Sequence, residues 1–231
     1  MLGAFPADTL YETIPDFHNT PDRYRKFDAS LKKDAAGRAG SVQKEIDFVL
    51  ARREEAGILQ KMRENGSLPV RVTHNDTKLN NVMLDAATRK ALCVIDLDTI
   101  MPGLAAYDFG DSIRFGASTA AEDETDLEKV RMSLDLYRIY AEGFIAACGN
   151  LTEAEVDSLP YGAKIMTLEC GLRFLTDYLD GDIYFSTAYP EHNLDRARNQ
   201  FRLVEDMEDK WQEMRRLVRS IGNAVEKNRE I

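Results

Sequence analysis

Cysteine is scarce in this chain, and the three present, Cys93, Cys148 and Cys170, form no Cys-x-x-Cys pair. A zinc ribbon, a dithiol redox centre and a disulfide framework are therefore excluded. Each cysteine lies in an apolar segment, so buried free thiols in a reducing compartment are expected. No apolar run is long enough to span a bilayer, and the first residues, Met1-Leu-Gly-Ala-Phe-Pro-Ala7, lack the basic and apolar blocks of a secretory leader. Positive charge is also in deficit. With 30 Lys and Arg against 40 Asp and Glu, the net charge of −10 argues against nonspecific binding to nucleic acid or anionic membrane. The expectation is a soluble, cytoplasmic protein whose partner is a small molecule, neutral or attracted locally.

Linker-like and low-complexity stretches are missing too. The 231 residues, 44% of them hydrophobic, can bury one substantial core, and residues 1–231 are read as a single domain. A glycine-rich phosphate loop of the Gly-x-Gly-x-x-Gly kind is absent. None of Lys26, Lys32, Lys33, Lys44 and Lys61 sits in an alternating apolar strand.

What the chain does have is the stretch Val72-Thr-His74-Asn-Asp76-Thr-Lys78-Leu-Asn-Asn81-Val-Met-Leu84, followed by Val94-Ile-Asp96-Leu-Asp98. His-x-Asp-x-x-x-x-Asn is the spacing of a phosphotransferase catalytic loop. There the Asp takes the proton of the acceptor hydroxyl, the Asn holds Mg²⁺, and a later Asp holds the metal against the nucleotide phosphates. Asp76, Asn81 and Asp96 fill those roles, with the loop at 74–81 and the metal strand at 91–98. The flanks read as short strands, Pro69–Thr73 and Asn81–Leu84, with a third strand, Ala91–Ile95, that looks buried. A hairpin of this kind brings Asn81 and Asp96 to one cation. Asp and Asn in such loops are also ordinary turn residues, but the coincidence of His74, Asp76, Asn81, Asp96 and the strand pattern favours chemistry.

A literal Asp108-Phe109-Gly110 competes for the metal role. Asp96 follows Asp76 by 20 residues and Asp108 by 32, and the metal Asp is expected roughly twenty residues on. Asp108 sits where a helix begins and is read as fixing the catalytic loop or capping that helix. His74 is read as structural. Lys78 either neutralises phosphoryl charge or points to solvent, and Asp98 either holds a second metal or supports Asp96.

The rest reads as helix. The pattern predicts one helix over 41–64 capped by Ser41, one up to about Cys148 carrying Leu127, Val130 and Met132, one from Thr152 with a Thr152/Glu155 capping box, divided or kinked at Pro160, and one over 194–219. Asn193 is read as the cap of the last, and Trp211 as core. In the helical region 120–219, Glu169, Arg173 and Asp177 at i, i+4, i+8 form a polar stripe, either ion-paired or facing a substrate.

The loop and Ile95-Asp96-Leu97-Asp98 resemble the C-terminal lobe of the aminoglycoside phosphotransferase and choline kinase family, whose loop is usually His-Gly-Asp-x-x-x-x-Asn. Asn75 departs from that glycine. Leu10–Arg23, Thr73–Lys78 and Phe174–Asp182 are similar, more specifically, to N-acetylhexosamine 1-kinases. The resemblance implies an α+β, mostly α, protein-kinase-like C-terminal lobe, a helical bundle with a small catalytic β-hairpin and with the N-terminal lobe absent. It implies transfer from MgATP to a sugar hydroxyl, anomeric in an N-acetylhexosamine, with Arg173 and Tyr184 contacting the sugar. Alternatives left open are a catalytically incomplete sugar-binding or regulatory lobe, a kinase for choline, an aminoglycoside or another small alcohol, and a small lobe supplied by a separate polypeptide. Oligomeric state is not legible.

Overall fold

The computed structural model describes residues 5–229, mostly helical with four short strands. The helices are α1 (Thr20–Lys33), α2 (Gln43–Ala51), α3 (Arg53–Ala56), α4 (Ile58–Glu64), α5 (Ala105–Gly116), α6 (Leu134–Ala147), α7 (Glu153–Asp180), α8 (His192–Asp209) and α9 (Trp211–Arg229). The strands are β1 (Arg71–Thr73), β2 (Val82–Leu84), β3 (Ala91–Val94) and β4 (Met101–Gly103). The architecture is α+β.

Helix α7 organises the rest. It starts at a complete capping box, in which the Thr152 hydroxyl accepts the Glu155 N–H and the Glu155 carboxylate accepts the Thr152 N–H. It stops at Gly181 in a left-handed conformation, φ 98°. Between those ends it is apolar on nearly every side, the pattern of a helix buried all round. One side packs with α1, α2 and α8 around Phe27, Leu172, Leu175 and Phe201. The other packs with α5, α6 and α9 around Phe109, Tyr137, Leu159 and Met207. Helices α5 and α7 approach so closely that a Cβ on Gly162 would lie 2.1 Å from the Ala106 carbonyl oxygen, and one on Gly110 would lie 2.3 Å from that of Gly162. This contact of two backbones fixes Asp108, on α5, relative to α7.

The strands form two separate antiparallel pairs. Strand β1 pairs with β4, a strand not foreseen, with Val72 opposite Pro102. Strand β2 pairs with β3, Val82 opposite Val94, and the register slips between Met83 and Leu84. Their turn is closed by the Asp85 carboxylate, which accepts the N–H of Ala87 and of Thr88.

Several boundaries differ from those expected. Strand β3 is exposed, not buried: Leu92 is 63% and Val94 51% accessible, because among the described residues a two-stranded hairpin has no layer over its apolar face. Cys93, on that strand, is exposed with it, and Cys148 and Cys170 are half-buried free thiols. The helix expected over 41–64 is three pieces, broken at Arg52 and Gly57, and Ser41 ends a 3₁₀ turn instead of capping. Leu127–Lys129 is a 3₁₀ turn, and the α-helix begins only at Leu134, where the Ser133 hydroxyl accepts the Leu136 N–H. Pro160 lies inside a continuous α7, whose packing outweighs the one lost hydrogen bond. The last predicted helix is two, parted at Lys210. Trp211 is half-buried, edge-on to Tyr161 with the Lys164 ammonium over its ring. No helix among the described residues is long and apolar enough to cross a membrane.

Candidate active site

The loop after β1 is held from three sides. From α5, the Asp108 carboxylate accepts the N–H of His74 at 2.9 Å and of Asn75 at 2.7 Å. Burial pushes Asp108 above the ordinary carboxylate range, and these two N–H groups pull it back. From the segment after β3, the Thr99 hydroxyl donates to the His74 carbonyl at 2.6 Å, and the His74 Nε2 lies 3.2 Å from the Ile95 carbonyl. From the turn before α1, His18 Nε2 lies 3.0 Å from the Asn75 carbonyl. Asn75 itself has φ 65°. Glycine and asparagine tolerate that left-handed backbone best, which accounts for Asn where the resemblance has Gly. Its side chain then ties the strands, donating to the Thr99 carbonyl at 2.9 Å and accepting from the Thr73 hydroxyl at 2.9 Å.

At the tip, Asn81 Nδ2 donates to both the carbonyl and the carboxylate Oδ2 of Asp76, each at 2.8 Å, and Lys78 Nζ pairs with the same Oδ2 at 2.9 Å. The amide of Asn81 thus spends its donor side on Asp76, and its Oδ1 has no donor among the described residues. Asn81 immediately precedes β2 and Asp96 lies just past β3, the ends joined by the Ile95 N–H to the Asn81 carbonyl at 2.9 Å. Asp96, at φ 60°, makes no hydrogen bond or ion pair among the described residues. Asp98 is exposed in the following 3₁₀ turn.

Asp76, Lys78 and Asp96 line a cleft of about 640 Å³ whose far wall, from α7 and the loop after it, carries Arg173, Phe174 and Tyr184. The wall from α5 carries Arg114, bonded to Asp111 at 2.9 Å and to Glu122. Arg173 has no hydrogen-bonding partner among the described residues; its guanidinium lies 5.3 Å from the Phe185 ring centroid and 5.8 Å from that of Tyr184. Cys170 also lines this cleft, but burial pushes its thiol up to about 12, so it remains protonated at neutral pH and is no nucleophile.

The expected polar stripe is taken apart. Glu169 pairs with His18 Nδ1 at 3.0 Å and accepts the Thr20 hydroxyl at 2.6 Å, not Arg173. Asp177 accepts the N–H groups of Ile183, Tyr184 and Phe185 and the amide of Asn193. Asn193 is therefore no helix cap: it sits within the first turn of α8, buried, bridging Asp177 and Asp182. His18 carried no usable signal in the sequence, since its partners lie on other elements, and the pairing of Arg114 with Asp111 within α5 and Glu122 just beyond it is a local spacing that by itself does not mark a cleft.

Residues 7–142 match the model of the APH phosphotransferase enzyme family. The chain belongs to this family. The matched span takes in the loop of 74–81 and the strand that leads to Asp96, and it ends before α7, so the phosphotransferase assignment does not extend to Arg173 and Tyr184. Membership implies ATP as phosphoryl donor and, as is usual for such transfers, a divalent metal. Among the described residues no group of three His, Cys, Asp or Glu could cage a metal. The oxygens at hand, Asn81 Oδ1 and the Asp96 carboxylate, instead suit a hard cation held by one or two protein ligands and completed by phosphates and water.

Proposed function

We propose that this phosphotransferase transfers the γ-phosphoryl group of MgATP to a sugar hydroxyl, in first place the anomeric hydroxyl of an N-acetylhexosamine, and that residues 1–231 work as one unit in doing so. The observation that carries the reading is that Asp76 and Asp96 share one cleft with Arg173 and Tyr184. Base, metal ligand and a guanidinium free to bind a polyol thus line the same walls.

Asn81 Oδ1 and the Asp96 carboxylate are the residues that would hold Mg²⁺, which when bound neutralises charge on the phosphates. Asp76 orients the acceptor hydroxyl and takes its proton, with Asn81 Nδ2 and Lys78 on Oδ2 leaving Oδ1 for that proton. Lys78 lies beside the path of the transferred group and offsets its charge. Arg173 donates to ring or hydroxyl oxygens, and Tyr184, 72% exposed, offers the sugar an apolar face. The exposed apolar side chains of the hairpin, Leu92 and Val94 among them, are a platform beside Asp96 on which the purine can rest.

An ADP-release assay with N-acetylglucosamine, N-acetylgalactosamine, glucose, choline and kanamycin, run beside saturation-transfer NMR, tests this reading. Turnover with an N-acetylhexosamine, abolished by Asp76→Asn with the sugar still bound, is expected. Full turnover by Asp76→Asn would refute the assignment of the base, and turnover confined to choline or kanamycin would refute the sugar.

A further inference from the structure

His18 stands outside the loop motif, yet it reaches the peptide that carries Asp76. Its two ring nitrogens face two acceptors: Nε2 is 3.0 Å from the Asn75 carbonyl and Nδ1 is 3.0 Å from Glu169 Oε1. A carbonyl oxygen can only accept, so Nε2 carries a proton. The other oxygen of Glu169 already accepts the Thr20 hydroxyl, and with both carboxylate oxygens accepting, Nδ1 carries a proton as well. His18 is then an imidazolium, its side chain 7% exposed and that of Glu169 1%.

The other end of the same peptide is met by a histidine in the opposite state. His74 Nε2 faces the Ile95 carbonyl and so carries a proton, while its Nδ1 accepts the Asp76 N–H at 3.3 Å and so is unprotonated. The Asn75–Asp76 peptide is gripped at its carbonyl by a cation and at its N–H by a neutral ring. Its plane sets the direction in which the Asp76 side chain leaves the backbone, and Asn75 at φ 65° would not hold that plane by preference.

We propose that His18, as an imidazolium bonded to Glu169 and to the Asn75 carbonyl, is a positioning residue that aims Asp76 into the cleft. This rests on the reading of Asp76 as the base. It requires no acceptor to be known. The charged and titratable groups around His18 are Glu169 on α7, Arg23 on α1, Asp108 and Tyr107 on α5, Asp16 on its own turn and, beyond Tyr107, Glu12 and Arg63. Glu169 is the one that bonds the ring. Burial draws its carboxyl upward, but the bond and charge of His18, with Arg23 and Thr20, outweigh that and leave it below its ordinary value.

The test is long-range ¹H–¹⁵N NMR of the histidine rings and the backbone amides between pH 5.5 and 9, in the wild-type chain and in Glu169→Gln. Both His18 nitrogens should be protonated in the wild type at neutral pH, as the two acceptors facing them require. In Glu169→Gln the ring should lose one of those protons within that range, and the Asp76 amide should move with it. A neutral His18 ring in the wild type at pH 7 overturns the proposal, as does an Asp76 amide that stays fixed through the variant's titration.

With any acceptor that is turned over, the ratio of Glu169→Gln to wild-type kcat should fall on the order of tenfold or more between pH 6 and 8, KM being unchanged, as expected when a reacting group is misaimed. A ratio independent of pH overturns the proposal. Failure of the sugar reading would silence N-acetylhexosamine turnover and leave the ring titration as described, so the two failures are distinguishable.

Discussion

Replacing Asp177 by alanine should unfasten the loop that carries Tyr184. One carboxylate, 5% exposed, gathers four donors there: Oδ1 takes the N–H of Ile183 at 3.0 Å and of Tyr184 at 2.8 Å, and Oδ2 takes the N–H of Phe185 at 3.0 Å and the amide of Asn193 at 2.8 Å. A hydrogen bond to a charged acceptor is worth about 1.5–3 kcal/mol, so four of them set an upper bound that the real loss cannot reach. Ile183 and Tyr184 are largely exposed, and water can replace the carboxylate at their N–H groups. Asn193 keeps its second bond, to Asp182 at 2.9 Å. The full penalty therefore falls mainly on Phe185, and the net cost should be about 3–4 kcal/mol, a large value for one substitution. In a chain of this size that lowers Tm by roughly 6–16 °C. Asp177→Asn should cost less, about 2 kcal/mol, because its one carbonyl oxygen still serves Ile183 and Tyr184 while its amide meets two donors. Chemical denaturation gives the free energies, and hydrogen exchange at residues 183–185 locates them. Should Asp177→Ala lie within about 0.5 kcal/mol of wild type with those amides still protected, the loop would be held by the tilted packing of Phe185 against Phe174, ring centroids 4.7 Å apart, and the reasoning would fail.

Gly162→Ala should destabilise by about 3 kcal/mol, since its methyl would meet the Ala106 carbonyl oxygen at 2.1 Å and the crossing of α5 and α7 would have to open. Gly143→Ala, in α6 with nothing within 4 Å of the new methyl, should instead stabilise by about 0.5–1 kcal/mol; paired thermal melts check both signs. In acid, Glu169 should contribute to unfolding. Its folded value is depressed, so its share of stability is fully present above the unfolded value of about 4.3 and is lost as pH falls through the lower folded value. Urea unfolding as pH falls from about 4.3 toward the lower folded value should show the wild type losing stability faster than Glu169→Gln, and parallel slopes there would refute the pairing with His18.

The local elements were written into the sequence wherever short-range chemistry decides them. The capping box at Thr152 and Glu155, the turn at Asp85, the loop between β1 and β2 and the start of α5 at Ala105 all follow from residues within a few positions of each other. So did the family, because His74, Asp76, Asn81 and Asp96 lie within one loop and the hairpin that follows it. Hydrophobic pattern alone misjudged β3, whose apolar residues are exposed, and the long helices, because periodicity reports which face is apolar and not what lies against it. It also overran Arg52 and Lys210, where α2 and α8 end. The stripe of Glu169, Arg173 and Asp177 was legible as three residues on one helix. Their separate partners, His18 far upstream, the cleft, and the loop after α7, were settled only when α1, α7 and α8 packed together. Burial makes that choice: a buried carboxylate must find donors in three dimensions, and neighbours in sequence are only a fraction of those within reach.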